Sequence, residues 1–302
     1  MAVLIQSEHP VCRETEQRST AALSTVSDPV VSSPLVIERV YRHRLPVRIS
    51  HWLNVPFLII LIMSGLQIFN AHPALYWGDR SDGDQPVLSI RSVQTDDGDI
   101  KGMTTVLGHR FETTGVLGYS DGSGRAFPAW TTIPSAKWLA MGRQWHLFFA
   151  WLFVINGLIF TAYALVSRHV TRDLVPARKE WRNIGQSIRS HLSFAGSGVV
   201  HRRGYNVLQK LTYTTMLFLI APLIIMTGLA MSPTIDTAFP WLLTILGGRQ
   251  TARSIHFFAC FSFVGFMGVH ILQVALTGLV NNIWSMITGW FAIREEGVSH
   301  EA

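Results

Sequence analysis

Residues 253–273 read Arg-Ser-Ile-His-Phe-Phe-Ala-Cys-Phe-Ser-Phe-Val-Gly-Phe-Met-Gly-Val-His-Ile-Leu-Gln (RSIHFFACFSFVGFMGVHILQ). From Ser254 to Ile293 the chain carries no Asp, Glu, Lys or Arg. A bilayer core takes roughly 20 residues of helix, so a span is expected over about 254–280, ending before Asn281-Asn282. The remainder, with Trp284 and Trp290, suits a membrane interface. His256 and His270 stand 14 residues apart within the span. On a helix they lie about 21 Å apart along the axis and within roughly 40° of one face. One face of one helix therefore presents an imidazole near each side of a bilayer.

Three further charge-free runs have spanning length, at about 52–71, 144–167 and 211–232. The expected fold class is an all-α membrane protein, a four-transmembrane-helix bundle. Composition agrees: 48% of the 302 residues are hydrophobic and 15% charged, against about 25% charged in soluble domains. Mean hydropathy is +0.28. Four buried helices of a soluble core would leave too little polar sequence to surround them. The two cysteines, Cys12 and Cys260, make no C-x-x-C, which argues against a disulfide scaffold and covalent c-type haem.

The loop 168–210 holds nine Lys/Arg and two acids, and Arg39–Arg48 holds four Arg. Positive loops stay in the cytoplasm, so both termini are expected there. In the basic loop, Trp181, Ile184, Ile188 and Leu192 fall at helical spacing beside Arg178, Lys179, Arg182 and Arg189. They suggest an amphipathic helix on anionic lipid, which accounts for the net charge of +6 without nucleic acid. Residues 1–38 read as a mobile cytoplasmic tail, 39–295 as the membrane domain and 296–302 as a second tail. The extracytoplasmic loop 72–143 is long enough to be functional. Val87–Val93 and Met103–Leu107 flank Asp96-Asp97-Gly98-Asp99, the pattern of a small β-hairpin. This lobe either docks a partner or simply caps the bundle.

Eight of the twelve histidines fall in tails or loops; His51, His146, His256 and His270 lie at or inside span boundaries. Intramembrane ionisable residues are functional candidates by default. The topology pairs His146 with His256 near the outside and His51 with His270 near the cytoplasm. Two facing imidazoles at one depth suit axial ligation of haem iron, with the flat apolar ring packed between helices. Zinc wants three or four ligands. Arg48, Arg143 and Arg253 each precede one of these histidines by three residues, one turn toward water, where a guanidinium meets a haem propionate or merely snorkels. Leu61–Leu66 (LIMSGL) and Ile224–Leu229 (IIMTGL) form a near-repeat. Its glycine admits either a bulky group or ordinary helix packing. Gly157 is a further candidate for close approach. Asn54 and Gln273 suit either contacts to quinone or interhelical hydrogen bonds.

At R48-I-S-H51-W52, at His146 opening the second span and at the His256/His270 pair, the sequence resembles the bacterial di-haem cytochrome b family. These are the membrane cytochrome b subunits of nickel–iron hydrogenases, formate dehydrogenases and thiosulfate-reductase-like complexes. The resemblance covers roughly residues 38–295. It implies two b-type haems held by the four histidines, electron exchange with quinone, and an extracytoplasmic metalloenzyme partner. That partner is expected to be a molybdopterin oxidoreductase first and a hydrogenase second. The chain itself carries no Mo-, Ni- or iron–sulfur-binding motif, so substrate chemistry would belong to the partner. The rival from the residues alone is a small transporter or proton channel using histidine relays without haem.

Overall fold

A computed structural model describes residues 12–14, 36–81, 85–167 and 207–295. Among them, four helices are long and apolar enough to cross a membrane: α1 (Leu45–Phe69), α2 (Leu139–Val166), α3 (Val207–Ala230) and α4 (Arg249–Leu276). The last is followed by a shorter helix, α5 (Leu279–Thr288). The spans start earlier than charge alone suggested, α1 at 45 rather than 52 and α4 at 249 rather than 254. The helices run on past the apolar boundary, so Arg48, Arg143, Lys210, Arg249 and Arg253 all stand on helical backbone.

The helices are inside-out relative to a soluble bundle. Ser50, Ser64, Gln67, Asn156, Thr227 and Ser254 are buried, while Ile59, Phe148, Ile155, Leu158, Leu219, Val269 and Ile271 are exposed. Small and polar side chains between helices, with large apolar ones facing outward, are what lipid as a solvent selects. Close backbone packing joins α1 to α2 and α3 to α4, so the bundle is built from two helix pairs. In α3 a π turn over Met216–Ile220 precedes Pro222. Proline has no N–H to give the preceding turn, and a wider turn accommodates that loss within a continuous helix.

The loop between α1 and α2 is an antiparallel sheet of β3 (Ala74–Leu75), β4 (Leu88–Gln94), β5 (Ile100–Val106) and β6 (His109–Glu112), ordered 3-4-5-6. The expected hairpin is its centre, β4–β5, with Leu88 opposite Val106 and Gln94 opposite Ile100. Gly98 has φ +89° in the connecting turn, a conformation open to glycine at little cost. Leu75, Ile90, Ala126 and Phe127 pack on Phe69 at the end of α1, seating the lobe on the bundle. The lobe also caps α4. Gly78 O accepts Gln250 N and Thr251 N at 2.9 and 3.2 Å, and Asp79 Oδ1 accepts Arg249 N at 3.2 Å. These satisfy N–H groups that a helix start otherwise leaves orphaned. Ser254 Oγ donates to Tyr76 O at 2.7 Å. The lobe thereby fixes the axial position of α4, and with it both of that helix's histidines.

At the opposite end, β1 (Cys12–Glu14), β2 (Val36–Tyr41) and β7 (Trp290–Glu295) form a second antiparallel sheet, with Val36 opposite Glu295 and Tyr41 opposite Trp290. Residues 12–14 and 36–38 are therefore strand, where the sequence suggested only tail. Most of the basic loop, including the amphipathic pattern around Trp181–Leu192, and the tail 296–302 lie outside the described residues.

Candidate metal centres in the bundle

The four span histidines come together in two pairs. His146 on α2 and His256 on α4 have ring centroids 6.1 Å apart, inclined at 65°. His51 on α1 and His270 on α4 are 6.2 Å apart, inclined at 60°. The first pair stands at the lobe end of the bundle and the second at the end carrying the β1–β2–β7 sheet. A metal between two imidazole nitrogens, with bonds of roughly 2 Å and about 1 Å from each nitrogen to its ring centre, gives centroids roughly 6 Å apart. Both pairs have that spacing. Among the described residues no group of three or more His, Cys, Asp or Glu is placed to hold a metal, so each centre offers two imidazoles. This donor set fits an iron whose equatorial ligands come from a porphyrin.

The lobe-end centre is built twice over from the near-repeat. His146 Nδ1 lies 3.1 Å from Leu61 O and 3.1 Å from Ser64 Oγ. His256 Nδ1 lies 3.0 Å from Ile224 O and 3.1 Å from Thr227 Oγ1. A carbonyl only accepts, so each Nδ1 carries the proton and each Nε2 keeps its lone pair. Ser64 and Thr227 give their own protons to the preceding turn, at 2.6 Å to Ile60 O and 2.8 Å to Leu223 O. Their oxygens are left to accept from the imidazole. A metal-binding histidine is commonly fixed in tautomer and orientation by such a bond from its other nitrogen.

The next residue of each string clears the space. A Cβ on Gly65 would stand 3.3 Å from His146 Cε1, and one on Gly228 would stand 3.3 Å from His256 Cε1. The sequence left open whether these glycines served a bulky group or helix packing. They admit the imidazole of the paired helix. At Gly157 a Cβ would meet nothing within 4 Å.

The other end is held differently. Asn156 of α2 is buried and donates to Ser50 O at 3.1 Å and to Asn54 Oδ1 at 2.8 Å. Asn54 is therefore part of an interhelical hydrogen bond flanking His51. Gln273 is half-buried, and its backbone carbonyl accepts Thr277 N at 3.0 Å. His51 Nδ1 is buried with no hydrogen-bond partner. Phe266 stacks on His270 at 5.7 Å and 16°.

The three arginines part company. Arg253 donates to the carbonyls of Ala74 and His72, with its guanidinium 5.6 Å from the Phe69 ring centre. Arg143 is exposed. Arg48 lines a groove of about 550 Å³ with Leu45, Ile49, Trp52, Leu53 and Met286, and its Nε is buried with no hydrogen-bond partner. Sequence reading missed Ser64, Thr227 and Asn156 as partners in these sites. The repeated Met-Ser/Thr-Gly triplet was the available signal for the first two.

A family model described as prokaryotic cytochrome b561 matches residues 42–289. The putative protein-methionine-sulfoxide reductase subunit YedZ1 of Azospira oryzae is 27% identical over 234 residues, covering 76% of this chain and 88% of that protein. No solved structure matches the chain.

Proposed function

The chain belongs to the prokaryotic cytochrome b561 family, and we propose that it is a transmembrane electron-transfer subunit carrying two bis-histidine b-type haems. The family implies b-type haem. The count of two rests on the two ring pairs, 6.1 and 6.2 Å between centroids, joined through α4. Held by these histidines, the haem would supply one-electron reduction and oxidation of its iron.

The chain's own residues hold this arrangement. His146 and His256 supply the lobe-end pair, each with Nδ1 fixed by a carbonyl and a hydroxyl. His51 and His270 supply the other pair, beside the Asn156–Asn54 bond. The basic approach to α1 and the basic loop 168–210 favour cytoplasmic termini, with the lobe outside. In that orientation the lobe-end pair serves an extracytoplasmic redox enzyme and the other pair faces quinone on the cytoplasmic side.

The name of the Azospira oryzae relative moves the first choice of partner from a molybdopterin oxidoreductase or a hydrogenase to an enzyme that reduces methionine sulfoxide in proteins. Electrons would then run from quinol through the chain to that partner. The deciding experiment is an absorption spectrum of the purified chain with pyridine haemochrome quantitation. Two b-type haems per chain, both reducible by quinol, are expected. A chain without a Soret band belongs to the histidine-relay reading instead.

A further inference from the structure

At the end of the bundle carrying the β1–β2–β7 sheet, the groove of about 550 Å³ runs between the start of α1 and α5. Leu45, Ile49, Trp52 and Leu53 form one wall, Met286 and Ile287 the other. Trp52 Nε1 donates to Met286 O at 3.0 Å and ties the two walls together. The short helix α5 is inside-out like the spans. Asn281 bonds both the N–H and the carbonyl of Ala292, and Ser285 is buried. Val280, Ile283, Trp284 and Ile287 are exposed. Polar groups turned inward and apolar ones outward set this wall against lipid.

One cation stands in the apolar lining. Arg48 is half-buried, and its Nε is shut off from solvent. Among the described residues no hydrogen bond or ion pair engages its guanidinium. The first turn of α1 holds no acid, and α5 contains none. Arg44, exposed at the start of α1, adds a second positive charge. A desolvated cation carries a free-energy cost until an anion meets it. Neither His51 nor His270 lines the groove. On α1 successive residues are turned by about 100°, which separates His51 from the face that carries Trp52.

We infer that this groove binds an anionic membrane phospholipid, with an acyl chain along the apolar walls and the phosphate on Arg48. The two parts of the ligand match the two parts of the lining. A quinone is neutral, and a zwitterionic lipid brings its own cation, so neither compensates the charge of Arg48. A guanidinium with free donors suits phosphate oxygens. Basic pockets between spans on the cytoplasmic side bind such head groups, and the basic segments favour that side for this end of the bundle. The inference rests on the membrane spans and is independent of the haem count. It gives Arg48 a role other than meeting a haem propionate.

The test uses Trp52 as the reporter, with the full chain reconstituted in phosphatidylcholine vesicles. Brominated acyl chains quench tryptophan on contact, and the difference between wild type and Trp52→Phe isolates the signal from the groove. Brominated phosphatidylglycerol is titrated against unlabelled phosphatidylcholine, and brominated phosphatidylcholine against unlabelled phosphatidylglycerol. One basic residue near an anionic surface is worth roughly fivefold in binding. Half-quenching is therefore expected at a several-fold lower mole fraction of phosphatidylglycerol than of phosphatidylcholine. Arg48→Gln is expected to abolish the preference, and Arg48→Lys to keep most of it. Should Arg48→Gln not accumulate, Leu45→Glu places a carboxylate in the same lining at an exposed first-turn position, where an acid suits the helix. It is expected to abolish the preference too. Equal half-quenching by the two lipids in wild type would leave only solvating lipid in the groove. A preference unchanged in the variants would place it elsewhere, and absence of quenching by either lipid would mean the groove is closed to chains. Each of these overturns the assignment. An unchanged preference together with a shifted redox midpoint in Arg48→Gln returns this arginine to the haem propionates.

Discussion

Gly65 of α1 faces the imidazole of His146 on α2 so closely that a Cβ would stand 3.3 Å from Cε1, and Gly228 of α3 stands in the same relation to His256 on α4. A contact of this kind tolerates a methyl only if the ring yields by a few tenths of an ångström. A branched side chain would need the ring to leave. On the proposed two-haem arrangement, which the predictions below also take as their premise, Gly65→Ala and Gly228→Ala are therefore expected to keep both haems, with altered electron paramagnetic resonance of the lobe-end haem. Gly65→Leu and Gly228→Leu are expected to lose that haem and keep the other. Retention of two haems in both leucine variants would show that the ring does not need this space.

The hydroxyls one residue earlier act on the same rings. Ser64 and Thr227 accept from Nδ1 alongside a carbonyl, and such bonds raise the basicity of a ligating imidazole. A more basic axial ligand favours ferric iron. Ser64→Ala and Thr227→Val remove the hydroxyl and leave the carbonyl in place. Each is expected to raise the lobe-end midpoint while two haems remain bound, as read by redox titration. A fall in that midpoint would contradict the donor directions assigned to these bonds.

Much of this centre was legible in the sequence because its signals are local. Charge-free length gave the four spans, and 14-residue spacing put His256 and His270 on one face of α4. Ring contact with His146 and His51 followed from topology. The near-repeat was visible too, although its purpose needed coordinates. Other features escaped because they join residues far apart in the chain. Nothing local marks Val36–Tyr41 as the partner of Trp290–Glu295, since each strand is short and finds its register only against the other. Arg125 reads as one more loop cation until Gln67 of α1 is seen to hold it.

The lobe contributes a pH response of its own. His72 stacks on Tyr76 with ring centres 6.1 Å apart, and its pKa is held below the usual histidine value by partial desolvation of a side chain that keeps much of its surface in water, with the charges of Arg253 and Arg91 adding to the effect. The folded chain therefore binds this proton less readily than the unfolded chain does. Stability rises with pH between the lowered value and about 6.5, and the contribution is complete above that. The thermal midpoint is expected to fall on acidification below about pH 6.5, with a shallower fall in His72→Gln. The difference should be small, because the ring is exposed and solvent screens it. Identical slopes for the two proteins would place the response elsewhere.

Asn156 offers a way to separate structure from quinone chemistry at the other centre. It is 8% exposed and bonds both Ser50 O and Asn54 Oδ1 across the α1–α2 interface, on either side of His51. Interhelical hydrogen bonds in membranes contribute about 0.6 kcal/mol on average, and up to roughly 1.7. Asn156→Leu is expected to cost about 1 kcal/mol in unfolding measurements and to broaden or shift the spectrum of the His51/His270 haem. Asn54→Ala breaks the same bond from the other side, so the double variant should cost little more than either single one. If Asn54 instead bonded quinone, Asn54→Ala would slow reduction by quinol while Asn156→Leu would leave it unchanged. Stopped-flow reduction of both variants by a soluble quinol distinguishes the two, and equal, modest effects are expected.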